Sequence, residues 1–487
     1  MHSWLNNISD DFPLMSGAGI SWTRSALQRR IRHLCEALRS RQEPAAPVAI
    51  LADNSPEWIA VDMATQELGI ALVPLPLFFS PAQQKGVVDA SGAQAVFCMQ
   101  EAQAHGLGFN GKFFCDGHLE LYESARQSEQ IDLKGVQKLT FTSGSTSEPK
   151  GVCLTSNQQW NVAHALRASI ASLEIKRHLT LLPFAVLLEN IAGVYTALLS
   201  GAESICPPLG ETGLAGASQF DPHVCLRAIE RYQAESIILL PQMLQALVAV
   251  TKPNDERIRA LKFVAVGGAK TPIALIRAAR EKGFPVFEGY GLSECGSVVS
   301  LNVPGADRLG SAGKPLPNRK VRIAADGEIE VGGQGIARYL GERMSPTEWL
   351  ATGDIGRLDD DGFLYIDGRK KNVLITGFGR NVSPEWPESV LMGTGVIAQS
   401  VVFGDAQPYL LSLIVPLSPQ FDADVIQAAV DKANQTLPDY ARIRRWIAVE
   451  PFSSTNGLAT ANGRPRRDAI WRRYQQQIEP FFESAGE

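Results

Sequence analysis

The sequence predicts an α/β protein with a large N-terminal body of layered subdomains, a small β-rich subdomain, and a small α+β domain at the C-terminus. Three observations predict this class. Short apolar runs alternate with helical patterns in the first half of the 487-residue chain, two hairpin patterns follow, and a mixed segment ends it. Strands that alternate with helices pair in parallel, because the crossover between them is right-handed.

The first third of the chain follows this alternation closely. Thr23 is a suitable N-cap for a helix with apolar side chains at helical spacing, and Ser55 followed by Pro56 is typical of a second helix start. The predicted helices are 23–41, 81–91 and a segment from 56 onward, and the predicted strands are 48–51, 70–74 and 95–98. These elements predict a parallel sheet that helices cover on both faces.

The alternation returns in the middle of the chain and then gives way to hairpins. The predicted helices here are 222–232, 242–250 and 272–282, and the predicted strands are 236–240 and 263–266. Further on, Asp326-Gly327 and residues 359–362 are turn sequences that each lie between two apolar runs. Such turns are typical of β-hairpins, so the sequence predicts a β-rich subdomain after the α/β body.

The last part of the chain has the pattern of a separate small domain. Its predicted strands are 373–375, 401–403, 411–415 and 447–449, and its predicted helix is 424–436. The charged stretch 368–372 precedes these elements and marks a boundary. We therefore expect two domains, residues 1–370 and residues 371–487.

Composition excludes several classes of protein. The chain has 46 Lys and Arg against 51 Asp and Glu, a net charge of −5, which argues against binding to nucleic acid or to an anionic membrane. Its seven cysteines form no C-x-x-C pair, so we expect neither a disulfide framework nor a zinc site. The N-terminus has no signal-peptide pattern, and Glu189 and Asn190 interrupt the most apolar stretch, 184–202. We expect a cytoplasmic protein without a transmembrane segment.

The strongest local motif runs from residue 139 to residue 152. An apolar strand leads into a loop of serine, threonine and glycine that ends at Lys150. Hydroxyl and backbone N–H groups in such a loop can surround phosphate oxygens, and lysine adds positive charge. The loop is not a Walker A motif, because the residue directly before Lys150 is not a glycine. A serine-rich surface loop is the alternative interpretation.

Three further motifs follow in order. In residues 286–295, glycines, Tyr290 and Glu294 follow a short strand. This pattern suits the close approach of a planar group to the backbone. A tight turn around a buried tyrosine is the alternative interpretation. Asp354, next to a glycine, can accept hydrogen bonds from ribose hydroxyls, and Arg369 can neutralise phosphate; a turn cap and a solvated hinge are the alternatives. Residues 458–467 form a glycine turn with three arginines, which could equally be a solvated basic face.

The order and spacing of these motifs resemble the adenylate-forming superfamily of acyl-CoA synthetases, non-ribosomal adenylation domains and luciferases. The resemblance covers almost the whole chain, and among subfamilies it is greatest to bacterial fatty-acyl-CoA ligases. It includes residues 54–58 and 267–269 in addition to the four motifs. It implies two half-reactions: a carboxylate attacks the α-phosphorus of ATP to give acyl-AMP and pyrophosphate, and a thiol then displaces AMP.

The resemblance also implies a role for each motif residue. The β- and γ-phosphates would be held by Thr142, Ser143, Gly144, Ser145, Thr146 and Lys150. The adenine would lie against Gly289, Tyr290 and Gly291, with Gly268 also at the nucleotide, and Asp354 would bind the ribose with Arg369 close by. Magnesium would lie on Thr146 and Glu294. Lys371 would be the hinge of a mobile C-terminal lid. The implied co-substrates and cofactor are ATP, CoA and Mg²⁺.

Three departures from the family pattern bear on function. The family has a lysine that bridges the carboxylate and the α-phosphate, and Arg464 stands at that position here. The planar guanidinium of arginine is not equivalent to the lysine ammonium. Arg466 is a second candidate for the role of this lysine. Val186 replaces a histidine that packs near the acyl carboxylate, and Phe378 separates two glycines near the thiol tunnel. Transfer to a separate carrier protein and a catalytically impaired homologue therefore stay as alternatives to an acyl-CoA synthetase.

Overall fold

The computed structural model describes residues 5, 8–116, 119–124, 131–142, 150–215, 219–333, 336–342, 349–377, 380–460 and 463–483. Its helices in chain order are α1 (Arg24–Arg39), α2 (Pro56–Leu68), α3 (Pro81–Ser91), α4 (Glu101–Leu107), α5 (Ser156–Ile170), α6 (Thr196–Leu199), α7 (Pro222–Arg231), α8 (Pro241–Val250), α9 (Ile273–Glu281), α10 (Glu385–Met392), α11 (Ala423–Asn434) and α12 (Arg467–Glu483). Thr23 and Ser55 cap α1 and α2 through their side chains, as predicted.

The strands of the N-terminal body fall before residue 316. They are β1 (Met15–Gly17), β2 (Ile20–Trp22), β3 (Val48–Leu51), β4 (Leu72–Pro74), β5 (Ala95–Cys98), β6 (Gly111–Asp116), β7 (Leu119–Glu123), β8 (Lys138–Thr142), β9 (Lys150–Leu154), β10 (Arg177–Leu179), β11 (Glu203–Ile205), β12 (Leu214–Ala215), β13 (Gln219–Phe220), β14 (Ser236–Leu239), β15 (Phe263–Val266), β16 (Val286–Tyr290), β17 (Ser300–Leu301) and β18 (Lys314–Pro315).

The remaining strands belong to the β-rich subdomain and the C-terminal domain, apart from β21, which pairs with β9. They are β19 (Arg319–Ile323), β20 (Glu328–Gly333), β21 (Arg338–Tyr339), β22 (Trp349–Leu358), β23 (Leu364–Arg369), β24 (Leu374–Ile375), β25 (Asn381–Val382), β26 (Ile397–Phe403), β27 (Leu410–Pro416) and β28 (Ile443–Ala448).

Two large sheets form the N-terminal body. One has the order β21-β9-β8-β4-β3-β5-β7-β6, and the other has the order β18-β17-β16-β15-β14-β10-β11-β1-β2. The predicted parallel pairing is present in both, between β3 and its neighbours β4 and β5 and from β14 to β16. Antiparallel strands at the ends of the sheets, β6 and β7 among them, have no counterpart in the sequence prediction.

A wide helix between β10 and β11 packs in the core that the two sheets share. Leu188–Tyr195 is a π-helix and continues directly into α6. Such wide turns are rare in proteins and occur often at functional sites. The largest core cluster contains residues of both sheets together with α1, α2, α5 and this helix.

The predicted hairpins are present, and the C-terminal domain contains β25, α10 and α12 in addition to the predicted elements. Strands β19, β20, β22 and β23 make a four-stranded antiparallel sheet, and β26, β27 and β28 make a three-stranded sheet in the C-terminal domain. The basic run after Gly463, predicted as a turn, becomes α12 from Arg467 onward, because Ile470, Tyr474 and Ile478 form a buried face. In the described part of the chain, no helix is long and apolar enough to cross a membrane.

Candidate functional site

A cleft of about 2240 Å³ lies between the body and the C-terminal domain, and most of the predicted site residues line it. The predicted residues on its wall are Lys150, Gly268, Gly289, Tyr290, Gly291, Glu294, Asp354, Arg369, Lys371 and Arg464. Thr142 is the last residue of β8. Ser143, Gly144, Ser145 and Thr146 lie outside the described residues, in the segment between β8 and β9.

Asp354 is the centre of a buried polar group on the body side of the cleft. Its Oδ2 accepts a hydrogen bond from the Tyr290 hydroxyl at 2.6 Å, and its Oδ1 lies 2.9 Å from Nε of Arg369. The ladder between β22 and β23 sets this geometry, because Asp354 and Arg369 are directly paired in it. Burial raises the pKa of Asp354, and the Arg369 charge opposes that rise.

The backbone favours glycine at the residue before this aspartate. Gly353 has a φ of +72°, which side chains with a Cβ rarely adopt, and a Cβ there would lie 3.6 Å from Nη1 of Arg369. Its backbone N–H donates to Glu328 at 2.8 Å. The Thr352-Gly353-Asp354 motif therefore turns the strand so that the carboxylate faces the cleft and its arginine.

Arg464 brings the C-terminal domain into the cleft. It follows Gly463 in a tight hairpin, where Thr460 N–H donates to the Arg464 carbonyl at 2.7 Å. Its Nε donates to the carbonyl of Gly268 at 2.8 Å. The side chain thus spans from one domain to the other, and its charge acts on Asp354 across the cleft.

Lys150 and Glu294 meet through a residue that the motifs did not reveal. The Tyr339 hydroxyl donates to Oε1 of Glu294 at 2.7 Å, and Nζ of Lys150 lies 5.3 Å from the centre of the Tyr339 ring. Pairing of Tyr339 with Val152 places the ring there. Tyr339 lies in a two-residue strand with no motif of its own, so the sequence carries no signal for it.

Glycine is needed at position 291 for a different reason from the one that the sequence suggested. A Cβ at Gly291 would lie 1.6 Å from the backbone oxygen of Ser297, and one at Gly289 would lie 3.0 Å from the Leu301 side chain. These glycines make room for the neighbouring chain of the protein itself. Close approach of a ligand is therefore not needed to explain them, although both line the cleft.

A second buried carboxyl, that of Glu288 in β16, also lines the cleft. Glu288 accepts a hydrogen bond from Thr271 N–H at 3.0 Å, and burial raises its pKa from 4.5 to about 7. The neighbouring Lys270 donates to the carbonyl of Ile366 at 3.0 Å. The sequence motif contained Glu288, but nothing in it indicated that the carboxyl would be buried.

Part of the cleft wall is apolar, and Asn54 fixes the chain segment around Leu182 that contributes to it. Asn54 donates to the carbonyl of Leu182 at 2.8 Å and accepts from Phe184 N–H at 2.9 Å. Val186, where the family resemblance leads one to expect histidine, lines the cleft two residues further on. Asn54 belongs to the stretch 54–58 that the resemblance included, and the structure gives it this positional role.

A buried carboxylate fixes the same segment from the other side. Oε2 of Glu189 accepts from the backbone N–H groups of Leu181 and Leu182 at 3.0 and 2.9 Å. Its Oε1 lies 2.9 Å from Nε2 of His178, whose Nδ1 meets the Ser236 hydroxyl at 2.9 Å. Because a carboxylate only accepts, Nε2 carries the proton in this arrangement.

Comparison with known proteins gives matches over both parts of the chain. A family model described as AMP-binding enzyme matches residues 5–340, and one described as AMP-binding enzyme C-terminal domain matches residues 371–486. The 2-succinylbenzoate–CoA ligase of Bacillus subtilis is 32% identical over 306 residues, which are 58% of this chain and 60% of that ligase. The match thus spans less than two thirds of that ligase.

Two further matches differ in what they cover. Long-chain-fatty-acid–CoA ligase FadD15 of Mycobacterium bovis is 33% identical over 246 residues, 44% of this chain and 41% of that protein. The solved structure of o-succinylbenzoate CoA synthetase from Bacillus subtilis, in complex with its acyl-adenylate intermediate, has a TM-score of 0.76. It covers 96% of this chain and 97% of its own at 23% identity, so it shows the same fold.

Proposed function

The chain belongs to the AMP-binding enzyme family, and from this premise we propose that it activates a carboxylic acid with ATP and transfers the acyl group to CoA. Membership confirms the resemblance to the adenylate-forming superfamily, and the chain is an enzyme of this class. One observation carries the proposal: Arg464 of the C-terminal domain reaches Gly268 beside the Asp354–Arg369–Tyr290 group. The two domains thus present complementary charges to one cleft.

The first half-reaction needs groups that hold ATP and stabilise charge on the α-phosphate. In our proposal Asp354 accepts from the ribose hydroxyls, since each carboxylate oxygen can accept more than the one bond it has here. Lys150 and Arg464 supply positive charge where negative charge develops on phosphoryl oxygens. The carboxylate oxygen of the acid then bonds to the α-phosphorus, and the bond to pyrophosphate breaks.

Magnesium fits the donors on this side of the cleft. The Glu294 carboxylate lines the cleft beside Lys150 and Tyr339, and Mg²⁺ in such sites takes one or two carboxylates together with phosphate oxygens. Bound there, the ion would neutralise charge on the phosphates; Thr146, the second proposed ligand, lies outside the described residues.

We also propose that residues 371–487 act as a lid that turns about Lys371. Lys371 lies in the short 3₁₀ helix Lys370–Asn372, directly after β23. In the present arrangement the lid contacts the body through Arg464, and also through Gln245, which donates to the carbonyl of Ile397 at 3.2 Å. A turn of the lid would withdraw Arg464 and open the cleft to the thiol of CoA for the second half-reaction.

The acid we propose has an apolar acyl group, fatty or otherwise. The relatives act on aromatic and fatty acids by their names, so their identities do not choose between these. The wall beyond Val186 favours an apolar group, because it includes Leu182, Leu188, Ala192 and Leu240.

The test is pyrophosphate–ATP exchange by the purified protein with Mg²⁺ and a panel of aliphatic and aromatic acids. We expect exchange that depends on the acid, followed by thioester formation when CoA is added. Absence of exchange with every acid would contradict the proposal. If a phosphopantetheine carrier protein discharged the acyl-AMP and CoA did not, the acceptor would be a carrier protein.

An impaired homologue is the second candidate, and Arg464 is the observation that favours it. Arginine keeps the charge of the expected lysine but differs in shape and reach. Binding of ATP without exchange, followed by recovery of exchange in Arg464→Lys, would establish this alternative.

A further inference from the structure

A further contact between the body and the proposed lid lies at Gly368, three residues before Lys371. The hydroxyl of Ser383, in the lid, lies 2.9 Å from the backbone carbonyl of Asp367 in β23. It lies at the same distance, 2.9 Å, from Oε2 of Glu385, the first residue of α10. Because a hydroxyl has one hydrogen to donate, it donates to one of these two acceptors at a time. The lid thus contacts the body close to its own hinge.

Gly368 allows this contact because it has no side chain. A Cβ at Gly368 would lie 1.7 Å from Oγ of Ser383, 3.0 Å from Cβ of Ser383 and 2.6 Å from Oε2 of Glu385. Non-bonded carbon atoms pack at about 3.5–4.0 Å, so the serine could not stay where it is. The φ of Gly368 lies outside the left-handed region, so the backbone does not require glycine there. The glycine is explained by the side chains that the lid places over it.

Glu385 connects this contact to the hinge and to a cation of the body. Its Oε1 accepts a hydrogen bond at 2.6 Å from Nδ2 of Asn372, the last residue of the 3₁₀ helix that contains Lys371. Burial lowers the pKa of Lys270 in the body, and Glu385 is one of three carboxylates whose charge opposes this fall. The charge of Glu385 therefore favours the present position of the lid against the body.

The contact joins parts of the chain that lie on opposite sides of the hinge. Gly368 precedes Lys371, and Ser383 follows it. A turn of the lid about Lys371 therefore separates Ser383 from Gly368. In the present arrangement, where the two are in contact, Arg464 also reaches Gly268 across the cleft.

We propose that Ser383 and Glu385 are positioning residues, which hold the lid in the arrangement that places Arg464 in the cleft, with the Ser383 hydroxyl packed against Gly368. The inference rests on the proposed function, since it takes residues 371–487 as a lid that turns between the half-reactions. Both residues act on the first half-reaction through Arg464. Loss of their contact with the body should therefore slow the formation of acyl-AMP and not the transfer of the acyl group to CoA.

The experiment measures the two half-reactions separately in Gly368→Ala. We expect acyl-AMP formation to fall at least tenfold, because the added Cβ displaces Ser383 and with it the lid. Thioester formation from supplied acyl-AMP and CoA should stay within about threefold of wild type, since that step proceeds with the lid turned. The KM for ATP should not change, which separates a displaced lid from a disturbed Arg369. Gly86→Ala in α3, where a Cβ would have no neighbour within 4 Å, is the matched control and should keep both rates.

A second substitution tests the contact itself. Ser383→Gly removes the atoms that lie closest to an added Cβ at Gly368, so Gly368→Ala should cause no further loss in that background. We expect the double variant to form acyl-AMP as fast as Ser383→Gly alone and faster than Gly368→Ala alone. Two losses that simply multiply in the double variant would show that the positions act independently, and would overturn the inference.

The position of the lid is also measured without any activity. Spin labels at the exposed positions of Lys252 in the body and Asp424 in the lid report the distance between the two by double electron–electron resonance. We expect Gly368→Ala to lower the population at the distance of the present arrangement at least threefold, and the double variant to match Ser383→Gly. If Gly368→Ala does not fold, Ser383→Ala, which removes only the hydroxyl, takes its place with the same expected direction.

The outcomes separate this inference from the proposed function. Wild type that activates no acid would refute the proposed function, and the label distances would still test the contact. Unchanged label distances in the folded variants, equal losses in both half-reactions, or an effect confined to the KM for ATP would overturn this inference alone.

Discussion

Arg464 makes the clearest link between one side chain and the proposed chemistry. A guanidinium has five N–H donors in a rigid plane, and here Nε is held by the Gly268 carbonyl. In the proposed mechanism the terminal nitrogens would meet the α-phosphate and the acid. Lysine at this position would be a single charge on a flexible side chain. Arginine instead holds its donors in a fixed orientation.

We predict that Arg464→Ala lowers the rate of acyl-AMP formation by about 10²–10³, the usual effect of removing one donor that acts on developing charge. The KM for ATP should change little, because the proposed ribose contact is that of Asp354. Single-turnover release of pyrophosphate measures the effect. Arg466→Ala, two residues along, is the control that should retain activity; a larger loss there would assign the role to Arg466 instead.

Glu288 leads to a prediction about pH and stability. Its pKa rises from 4.5 to about 7 in the folded protein, so the folded state keeps a proton that the unfolded chain releases. This contribution to stability is complete below pH 4.5 and is lost as the pH rises through about 7, with a total of about 3 kcal/mol.

We therefore expect Glu288→Gln to gain up to about 3 kcal/mol relative to wild type between pH 5 and pH 8. Urea unfolding followed by tryptophan fluorescence at both pH values measures this difference. Glu36→Gln on the exposed side of α1 is the control, with no such gain. Equal effects of Glu288→Gln at the two pH values would show that the carboxyl is ionised in the folded protein.

At the scale of elements, the β22–β23 ladder holds the buried polar group around Asp354 in the cleft. It pairs Asp354 with Arg369, and the left-handed turn at Gly353 directs the carboxylate. A second glycine of the same sheet, Gly362, has a similar φ of +81° but no neighbour within 4 Å of its Cβ position. The two glycines thus share a left-handed backbone and differ in what surrounds the position of a Cβ.

This difference makes a matched pair of variants. Gly353→Ala and Gly362→Ala should each destabilise the protein by about 1 kcal/mol, since both place a Cβ on left-handed backbone. Only Gly353→Ala should raise the KM for ATP, because only Gly353 directs the carboxylate of Asp354, which we propose binds the ribose. Thermal melting and ATP titration of the exchange rate measure the two effects. An equal rise in KM for both variants would contradict the assignment of Asp354.

Elements whose pattern is local could be predicted from the sequence, and elements that depend on distant partners could not. Strands 48–51, 95–98 and 263–266 and the helix 81–91 have the predicted bounds, since alternation, caps and glycines set them locally. Glu189 and Asn190 appeared only as interruptions of an apolar stretch. In the structure both are buried, and their partners His178, Lys138 and Asp62 come from other elements.

The site shows the same division. Motif residues whose family role the resemblance gave, such as Tyr290, Asp354 and Arg369, were found from the sequence and do lie together. Tyr339 and the pairing around Glu189 were missed, because each depends on strands or helices that meet only in the fold. The roles of the loop residues 143–146 stay predictions, since that loop lies outside the described residues.

At the scale of the whole molecule, the link between the domains should decide which half-reaction proceeds. Lys371 lies in a 3₁₀ turn, and the φ of such a turn suits proline. Among the described residues, the Lys371 N–H donates none of the backbone hydrogen bonds that lie outside helices and strands. We predict that Lys371→Pro keeps acyl-AMP formation within a few-fold and lowers thioester formation at least tenfold, because proline fixes the φ that a hinge must change.

Rapid-quench measurement of pyrophosphate and thioester in one turnover separates the two steps. Lys371→Ala removes the side chain and leaves the backbone free, so it should form thioester faster than the proline variant. If both variants lose the same step to the same extent, the side chain matters and the hinge lies elsewhere.

The first residue of α12 has a consequence for the direction of the reaction. Arg467 pairs with the buried Glu388 of α10 at 2.6 Å, and Arg464 stands three residues before it. Arg464 is therefore joined to the interior of the lid and must leave the cleft whenever the lid turns. Because the same arginine would be needed to remake ATP from acyl-AMP and pyrophosphate, its departure would close the way back. For as long as the lid stayed turned, the bound acyl-AMP could then react with the thiol and could not return to ATP.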